Sequence, residues 1–205
     1  TSHEVLRIDH AIKTVWVKNL LTGEIFEDHY DLLVFATGAR YQTPEVFQGH
    51  DFDNVFQVRN IHSGKVIKTY IDSHQPKTAV IVGAGYIGLE MAEQLKAQGI
   101  DVTVLQRGQH PMPHLDWDMS IRIEDEMRKQ GIHFRPEETI AEVSGTTRLE
   151  SAVTTKGEVL ETDLYIIATG VLPNTALATS IGVDLGETGA IVTDSTMQTN
   201  LEGVY

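Results

Sequence analysis

Thr78-Ala79-Val80-Ile81-Val82-Gly83-Ala84-Gly85-Tyr86-Ile87-Gly88 decides the reading of this chain. A short β-branched, apolar run passes directly into G-x-G-x-x-G, and the following residues up to about Gln98 carry a helical pattern. Gly99 stands where a left-handed helix cap is expected, and Val102 to Leu105 form the next apolar strand. The order strand, glycine turn, helix, strand is the context that gives the motif its meaning. Each glycine then has its own physical reason. Gly83 permits the tight turn, Gly85 lets the backbone approach a pyrophosphate, and Gly88 lets the helix pack close to the sheet. The helix N-terminus would offer unpaired N–H groups and a positive dipole end to that diphosphate. Ile87, Met91 and Leu95, spaced by four, are expected to form the face lying on the sheet.

Downstream, a second helix is predicted over roughly Asp116 to Gln130, closed by Gly131 and followed by the strand Ile132-His133-Phe134. Residues 139–168 read as strands, with a turn at Lys156-Gly157 and a buried run Leu164 to Ala168. The stretch 182–205 is glycine-rich and strand-like. Upstream, strands are predicted at Val5 to Ile8, at Thr14 to Val17 and at Leu32 to Ala36, the last being the most buried. Tyr41 to Pro76 reads as a connector, with a short helix within Gly64 to Asp72.

One internal repeat ties these pieces together. Asp31-Leu32-Leu33-Val34-Phe35-Ala36-Thr37-Gly38 matches Asp163-Leu164-Tyr165-Ile166-Ile167-Ala168-Thr169-Gly170 in register. Both copies read as closing strands of α/β units. The second copy has its glycine turn 87 residues before Gly170, whereas the same step back from Gly38 falls upstream of Thr1. The chain is therefore expected to be a fragment.

At the end of the second strand, where an acidic side chain would hold a ribose 2′-OH and a basic one would admit a 2′-phosphate, the residues are Gln106 and Arg107. Gln106 suits either group, and Arg107 reads equally as a phosphate partner and as a solvated surface residue. The pair leans slightly to NADPH tolerance without deciding between the nucleotides. His110-Pro111-Met112-Pro113-His114 pairs two histidines, but its prolines prevent a shared helical face, so no metal site is expected and the segment reads as a flexible loop. Glu90 has a plain role as a charge near the helix N-terminus.

Composition limits the alternatives. The chain has 29 acidic and 16 basic residues, a net charge of −13, which argues against nucleic acid or an anionic membrane as partner. It has no cysteine, which excludes a disulfide, a thiolate metal site and a catalytic thiol within these residues. Its longest apolar stretch is too interrupted to span a membrane, and Thr-Ser-His-Glu at the start carries no signal-peptide pattern, so a cytoplasmic location is expected.

Val82 to Glu90, the two Ala-Thr-Gly strand ends, Pro173-Asn174 and Val58-Arg59-Asn60 together resemble the FAD-dependent pyridine nucleotide-disulfide oxidoreductases. The resemblance is closest to the branch of coenzyme A-disulfide reductase, NADH oxidase and NADH peroxidase, and it covers essentially the whole chain. It implies an α/β fold: a Rossmann-like NAD(P)H-binding domain with a parallel sheet and a β-meander, flanked by incomplete parts of an FAD-binding domain. Residues 1–70 would be a partial FAD-binding domain and connector, 71–190 the NAD(P)H-binding domain, and 191–205 a return towards FAD. By position, Tyr86 resembles the residue that gates the flavin face and Glu90 the carboxylate beside the nicotinamide. Gly83, Gly85, Ile87 and Gly88, with Ala84 and Tyr86 in the same turn, would hold diphosphate and ribose, and Gly170 would approach the nicotinamide half. Thr37, Gly38, Ala39, Arg40 and Arg59 resemble FAD contacts. The implied parent is a homodimeric flavoprotein passing hydride from NAD(P)H to FAD and electrons on to a disulfide, peroxide or oxygen; the chain alone is expected not to turn over. A reductase serving a ferredoxin-like protein and a non-catalytic, dinucleotide-binding redox sensor are the alternatives.

Overall fold

The computed structural model describes residues 2–205, in two compact units. The first comprises the chain up to Arg40 together with Val171–Tyr205, and the second is Tyr41–Gly170. The first unit opens with β1 (His3–Asp9), β2 (Thr14–Asn19) and β3 (Ile25–His29), and β4 (Ala39–Tyr41) leads out of it. The second unit carries β5 (Val55–Gln57), α1 (Ile61–His74), β6 (Thr78–Val82), α2 (Tyr86–Ala97), β7 (Asp101–Gln106), α3 (Trp117–Lys129) and β8 (His133–Pro136). It ends with β9 (Ile140–Gly145), β10 (Leu149–Thr154), β11 (Val159–Leu160) and β12 (Leu164–Ile167), before β13 (Val171–Pro173) and α4 (Ala176–Ser180) return to the first unit.

In the second unit five strands pair in the order β5-β12-β6-β7-β8, all parallel, while β9, β10 and β11 form a separate antiparallel meander. This is the expected α/β architecture, and the sequence of the central strands explains it. Apolar residues run without a break along β6 and β12 because both sheet faces are covered. Ala79, Ile81, Leu164 and Ile166 pack with Ile67 and Tyr70 of α1, Ala92 and Leu95 of α2, and Met127 of α3. Their alternates Val80, Val82, Tyr165 and Ile167 pack with Ile140, Leu149 and Ala152 of the meander. Gly99 and Gly131, at φ +81° and +70°, end α2 and α3 as expected.

Three expectations for this unit need correction. The stretch from Tyr41 to Pro76 is no mere connector: β5 pairs with β12, and α1 begins at Ile61 with a capping box in which Asn60 accepts from the Ser63 N–H and Ser63 returns the bond to Asn60. The face of α2 that meets the sheet is Gly88, Ala92 and Leu95, and Ile87 is exposed. Small residues, Gly88 and Ala92, face the strands because the helix approaches them closely. The proline-flanked loop is anchored rather than flexible, with Pro111 and Met112 both buried.

At the opposite end of the strands from the glycine turn, Asp163 fixes the start of β6. One carboxylate oxygen accepts from the N–H groups of Lys77 (2.8 Å) and Thr78 (3.1 Å) and from the Thr78 hydroxyl (3.2 Å). These bonds hold the Asp163 carboxyl below the usual carboxylate range, the Lys77 N–H contributing most.

The first unit contains the sheet β1-β2-β3, where Arg7 stacks over Trp16 with its guanidinium carbon 3.6 Å from the ring centre. Its small core joins Ala178, Val183 and Val204 with Leu33 and Phe35. The run Leu32 to Ala36 forms no full strand, contrary to its reading as the most buried one. Leu33 makes a single bridge to Val204, while Leu32 and Val34 are 64% and 67% exposed. Residues 182–205 are mostly turns, joined by a bridge between Leu185 and Ile191, rather than strands.

Candidate dinucleotide site

Strand β6 is the point at which the sheet changes direction: α2 leads to β7 on one side, and β12 lies on the other. In parallel sheets the crevice beyond the carboxyl end of such a strand is where ligands bind. Gly83 occupies that end, its N–H donating to the Leu105 carbonyl at 2.8 Å. Its φ is +110°, and a Cβ there would overlap the Ala168 carbonyl oxygen. A Cβ on Gly88 would overlap the Gly83 carbonyl oxygen, so this glycine lets α2 sit against its own turn. Gly85 differs from both. Nothing lies within 4 Å of where its Cβ would be, and it caps α2 without a side-chain hydrogen bond. The first-turn N–H groups of α2 therefore face an open approach, with the positive end of the helix dipole behind them.

Ala84, fully buried between these glycines, is held through both of its peptide groups. Its N–H donates to Gln106 Oε1 at 3.1 Å, and its carbonyl accepts from the Met112 N–H at 2.8 Å. Gln106 thus stands at the end of β7 as expected, but its side-chain oxygen is committed to the turn. Arg107 beside it is exposed and makes no ion pair among the described residues. Tyr86 and Glu90 stand one helical turn apart on the exposed face of α2, with Tyr86 66% exposed. Gly170 follows β12 at φ +109°; its carbonyl accepts from the Gln42 N–H at 3.0 Å, and Thr169 Oγ1 donates to the Gln42 carbonyl at 2.5 Å.

Thr37, Gly38, Ala39 and Arg40 belong to the first unit. There Thr37 Oγ1 donates to the Asn174 carbonyl at 2.5 Å, Asn174 N–H donates to the Gly38 carbonyl at 2.9 Å, and Arg40 Nη1 donates to the Pro173 carbonyl at 3.3 Å. Arg59 belongs to the second unit, exposed just ahead of α1. Sequence reasoning missed Met112 as a partner of the glycine turn, since nothing in its own pattern reports a backbone bond to a residue 28 positions earlier. Gln42 was also missed, although it stands four residues after Gly38 as Asn174 stands four after Gly170.

The model of the pyridine nucleotide-disulphide oxidoreductase family matches residues 1–205. The chain belongs to the pyridine nucleotide-disulphide oxidoreductase family. It is 42% identical over 203 residues to the CoA-dependent NAD(P)H sulfur oxidoreductase of Pyrococcus abyssi, covering 98% of this chain and 44% of that protein. It is 35% identical over 206 residues to the coenzyme A disulfide reductase of Staphylococcus haemolyticus, covering 100% and 45% respectively. The water-forming NADH oxidase of Lactobacillus brevis, solved with NADH bound, superposes with a TM-score of 0.87 at 34% identity, covering 99% of this chain and 44% of that one. The chain thus spans less than half the length of these family members. Among the described residues, no helix is long and apolar enough to cross a membrane, and no group of three or more His, Cys, Asp or Glu is placed to hold a metal ion.

Proposed function

We propose that this chain is the NAD(P)H-binding portion of an FAD-dependent oxidoreductase that passes hydride from NAD(P)H to FAD and electrons on to a disulfide, peroxide or oxygen. The observation that carries the reading is the glycine turn, closed to any side chain at Gly83 and Gly88 yet open at Gly85 above the α2 N-terminus. That is the shape a diphosphate needs: backbone donors ahead and no Cβ in the way. Gly83, Ala84, Gly85, Tyr86, Ile87 and Gly88 hold the diphosphate side. Gln106 and Arg107 face the adenosine ribose, and Gly170 lies towards the nicotinamide. Tyr86 and Glu90 are both exposed on α2; Tyr86 covers the flavin face until the nicotinamide arrives, and Glu90 stands beside the nicotinamide.

FAD, when bound, supplies a two-electron acceptor able to hand electrons to the final oxidant. Thr37, Gly38, Ala39, Arg40 and Arg59 are its proposed contacts. Thr37 already spends its hydroxyl on Asn174, so it supports FAD through backbone shape, whereas Arg40 uses one of its five donors on Pro173 and keeps the rest. In domain terms, the unit of residues up to Arg40 with Val171–Tyr205 serves the FAD side and the unit Tyr41–Gly170 the NAD(P)H side, which moves the expected boundaries at 70 and 190 to 40 and 170. The parent is read as a cytoplasmic homodimer, on the resemblance to its family, and the chain alone as inactive.

The test is a calorimetric titration of the 205-residue chain with NADH and with NADPH, repeated for Gly85→Val. Saturable binding that falls about a hundredfold in the variant is expected, because a side chain then occupies the diphosphate approach. Absence of binding by either nucleotide overturns the reading.

A further inference from the structure

The loop between β7 and α3, His110-Pro111-Met112-Pro113-His114, has no place in the dinucleotide motif, yet it is built onto it. Met112 is 4% exposed and takes φ +52°, a left-handed conformation unusual for a side chain of its size. Its N–H reaches the Ala84 carbonyl at 2.8 Å, and its carbonyl accepts from the Leu115 N–H at 2.9 Å. Prolines on both sides restrict the backbone further, so the segment is a fixed strut. From the other side, Gln106 meets the preceding peptide, through the Ala84 N–H. Because Ala84 N–H is a donor, the Gln106 atom facing it must be the carbonyl oxygen, and the side chain cannot be turned over without losing the bond. The Gln106 backbone is itself held, its carbonyl accepting from the Glu138 N–H at 2.9 Å.

We propose that Gln106 and Met112 are positioning residues that grip the two peptide groups of Ala84, setting the Gly83–Gly85 turn for a dinucleotide diphosphate before the nucleotide arrives. This rests on the dinucleotide reading above. A turn with three glycines within six residues would otherwise sample many conformations, and each one lost on binding would weaken the complex. The grip removes that freedom in advance from residues outside the motif. It also gives Gln106 a duty separate from choosing between ribose 2′ groups. Its loss acts through the diphosphate, which NADH and NADPH share, and so weakens both alike.

The test combines amide hydrogen exchange by NMR on the nucleotide-free 205-residue chain with calorimetric titration by NADH and NADPH. In the unsubstituted chain the Ala84 and Met112 amides exchange slowly. Gln106→Ala speeds exchange at Ala84 by about tenfold or more and weakens both nucleotides by about tenfold, the worth of one hydrogen bond. Gln106→Glu restores Ala84 protection and NADH affinity, because a carboxylate oxygen accepts the same N–H, while NADPH stays weak against the added charge. Met112→Ala, which loosens the strut from the other side, speeds Met112 exchange and weakens both nucleotides together. If Gln106→Ala shifts only one nucleotide, or lowers the melting temperature with both affinities unchanged, the proposal is overturned while the dinucleotide site stands. The proposal is equally lost if Gln106→Glu fails to recover NADH. If the unsubstituted chain binds neither nucleotide, the dinucleotide reading falls and the proposal with it.

Discussion

The two copies of the repeat, Asp31 to Gly38 and Asp163 to Gly170, share a pattern and meet different fates. The second becomes β12, paired with β5 on one edge and β6 on the other, with all four of its residues buried. The body of the first is bonded along one edge among the described residues, Leu33 and Phe35 exchanging backbone bonds of 2.7–2.9 Å with Gly203 and Tyr205. Its inward side chains reach a small core, and its outward ones, Leu32 and Val34, face solvent. An apolar run therefore announces what a segment is able to bury, and its neighbours decide how much of it is buried.

That contrast is largest in the cost of removing a side chain at matched positions. Ile166 in the second copy corresponds to Val34 in the first, and Ile166 is completely buried. Ile166→Ala is expected to destabilise the fold by about 3–4 kcal/mol, as transfer and cavity losses add. Val34→Ala should cost less than about 0.5 kcal/mol. Urea denaturation of the two variants measures both, and equal losses would break the comparison.

Next come the glycines that end each copy. Gly170 has φ +109°, outside the left-handed well, while Gly38 at +66° lies within it. Ala at Gly38 is expected to cost about 1 kcal/mol, the usual penalty for a Cβ in that well. Gly170→Ala should cost roughly twice as much through its dihedral angle, the new atom meeting Gln42 Oε1 at a contact distance of 3.4 Å. A larger loss at Gly38 would show that its backbone is more constrained than its dihedral angle indicates.

The copies also show where sequence reading succeeds. The β6-α2-β7 unit was legible because local signals and long-range packing agree there: glycines stand where the backbone must turn, and apolar runs stand where the sheet is covered on both faces. Gln106 was legible as a position at a strand end, though its bond to Ala84 was not, since hydrogen bonds between distant loops leave no periodic trace. The spacing of Ile87, Met91 and Leu95 misplaces the sheet face of α2 because apolar periodicity carries no record of how closely a helix approaches its strands. At a glycine turn the closest approach selects Gly88 and Ala92. Leu32 to Ala36 was misjudged because composition carries no record of which neighbours a strand will find.

The aspartate that opens the second copy gives a smaller, pH-dependent effect. Asp163 is held below its ordinary range by the Lys77 N–H and, with it, Thr78. A carboxyl depressed by folding contributes stability that is present above its unfolded value and is lost as pH falls through its folded value. Stability should therefore decline on acidification from about pH 4 downward, and Asp163→Asn should flatten that part of the profile while lowering stability at neutral pH. Denaturation midpoints between about pH 7 and about pH 2.5 would show it. An unaltered slope in the variant would assign the acid loss to other carboxylates.

The smallest expected effect tests where the copies are alike. Thr37 and Gly38 hold Asn174, and Thr169 and Gly170 hold Gln42, by the same pair of bonds: hydroxyl to carbonyl, then N–H to glycine carbonyl. Each clasp closes within its own unit, and each held residue stands four places after the glycine of the opposite copy. The symmetry belongs to the strand ends, which are fixed by backbone geometry, and not to the strand bodies, which are fixed by burial. Thr37→Val and Thr169→Val should then cost a similar amount, about 1 kcal/mol each, although their strands differ so widely in burial. Costs that instead followed the burial of the preceding strand would mean that the hydroxyl bond draws its worth from the core behind it, and that the likeness of the two ends is one of shape alone.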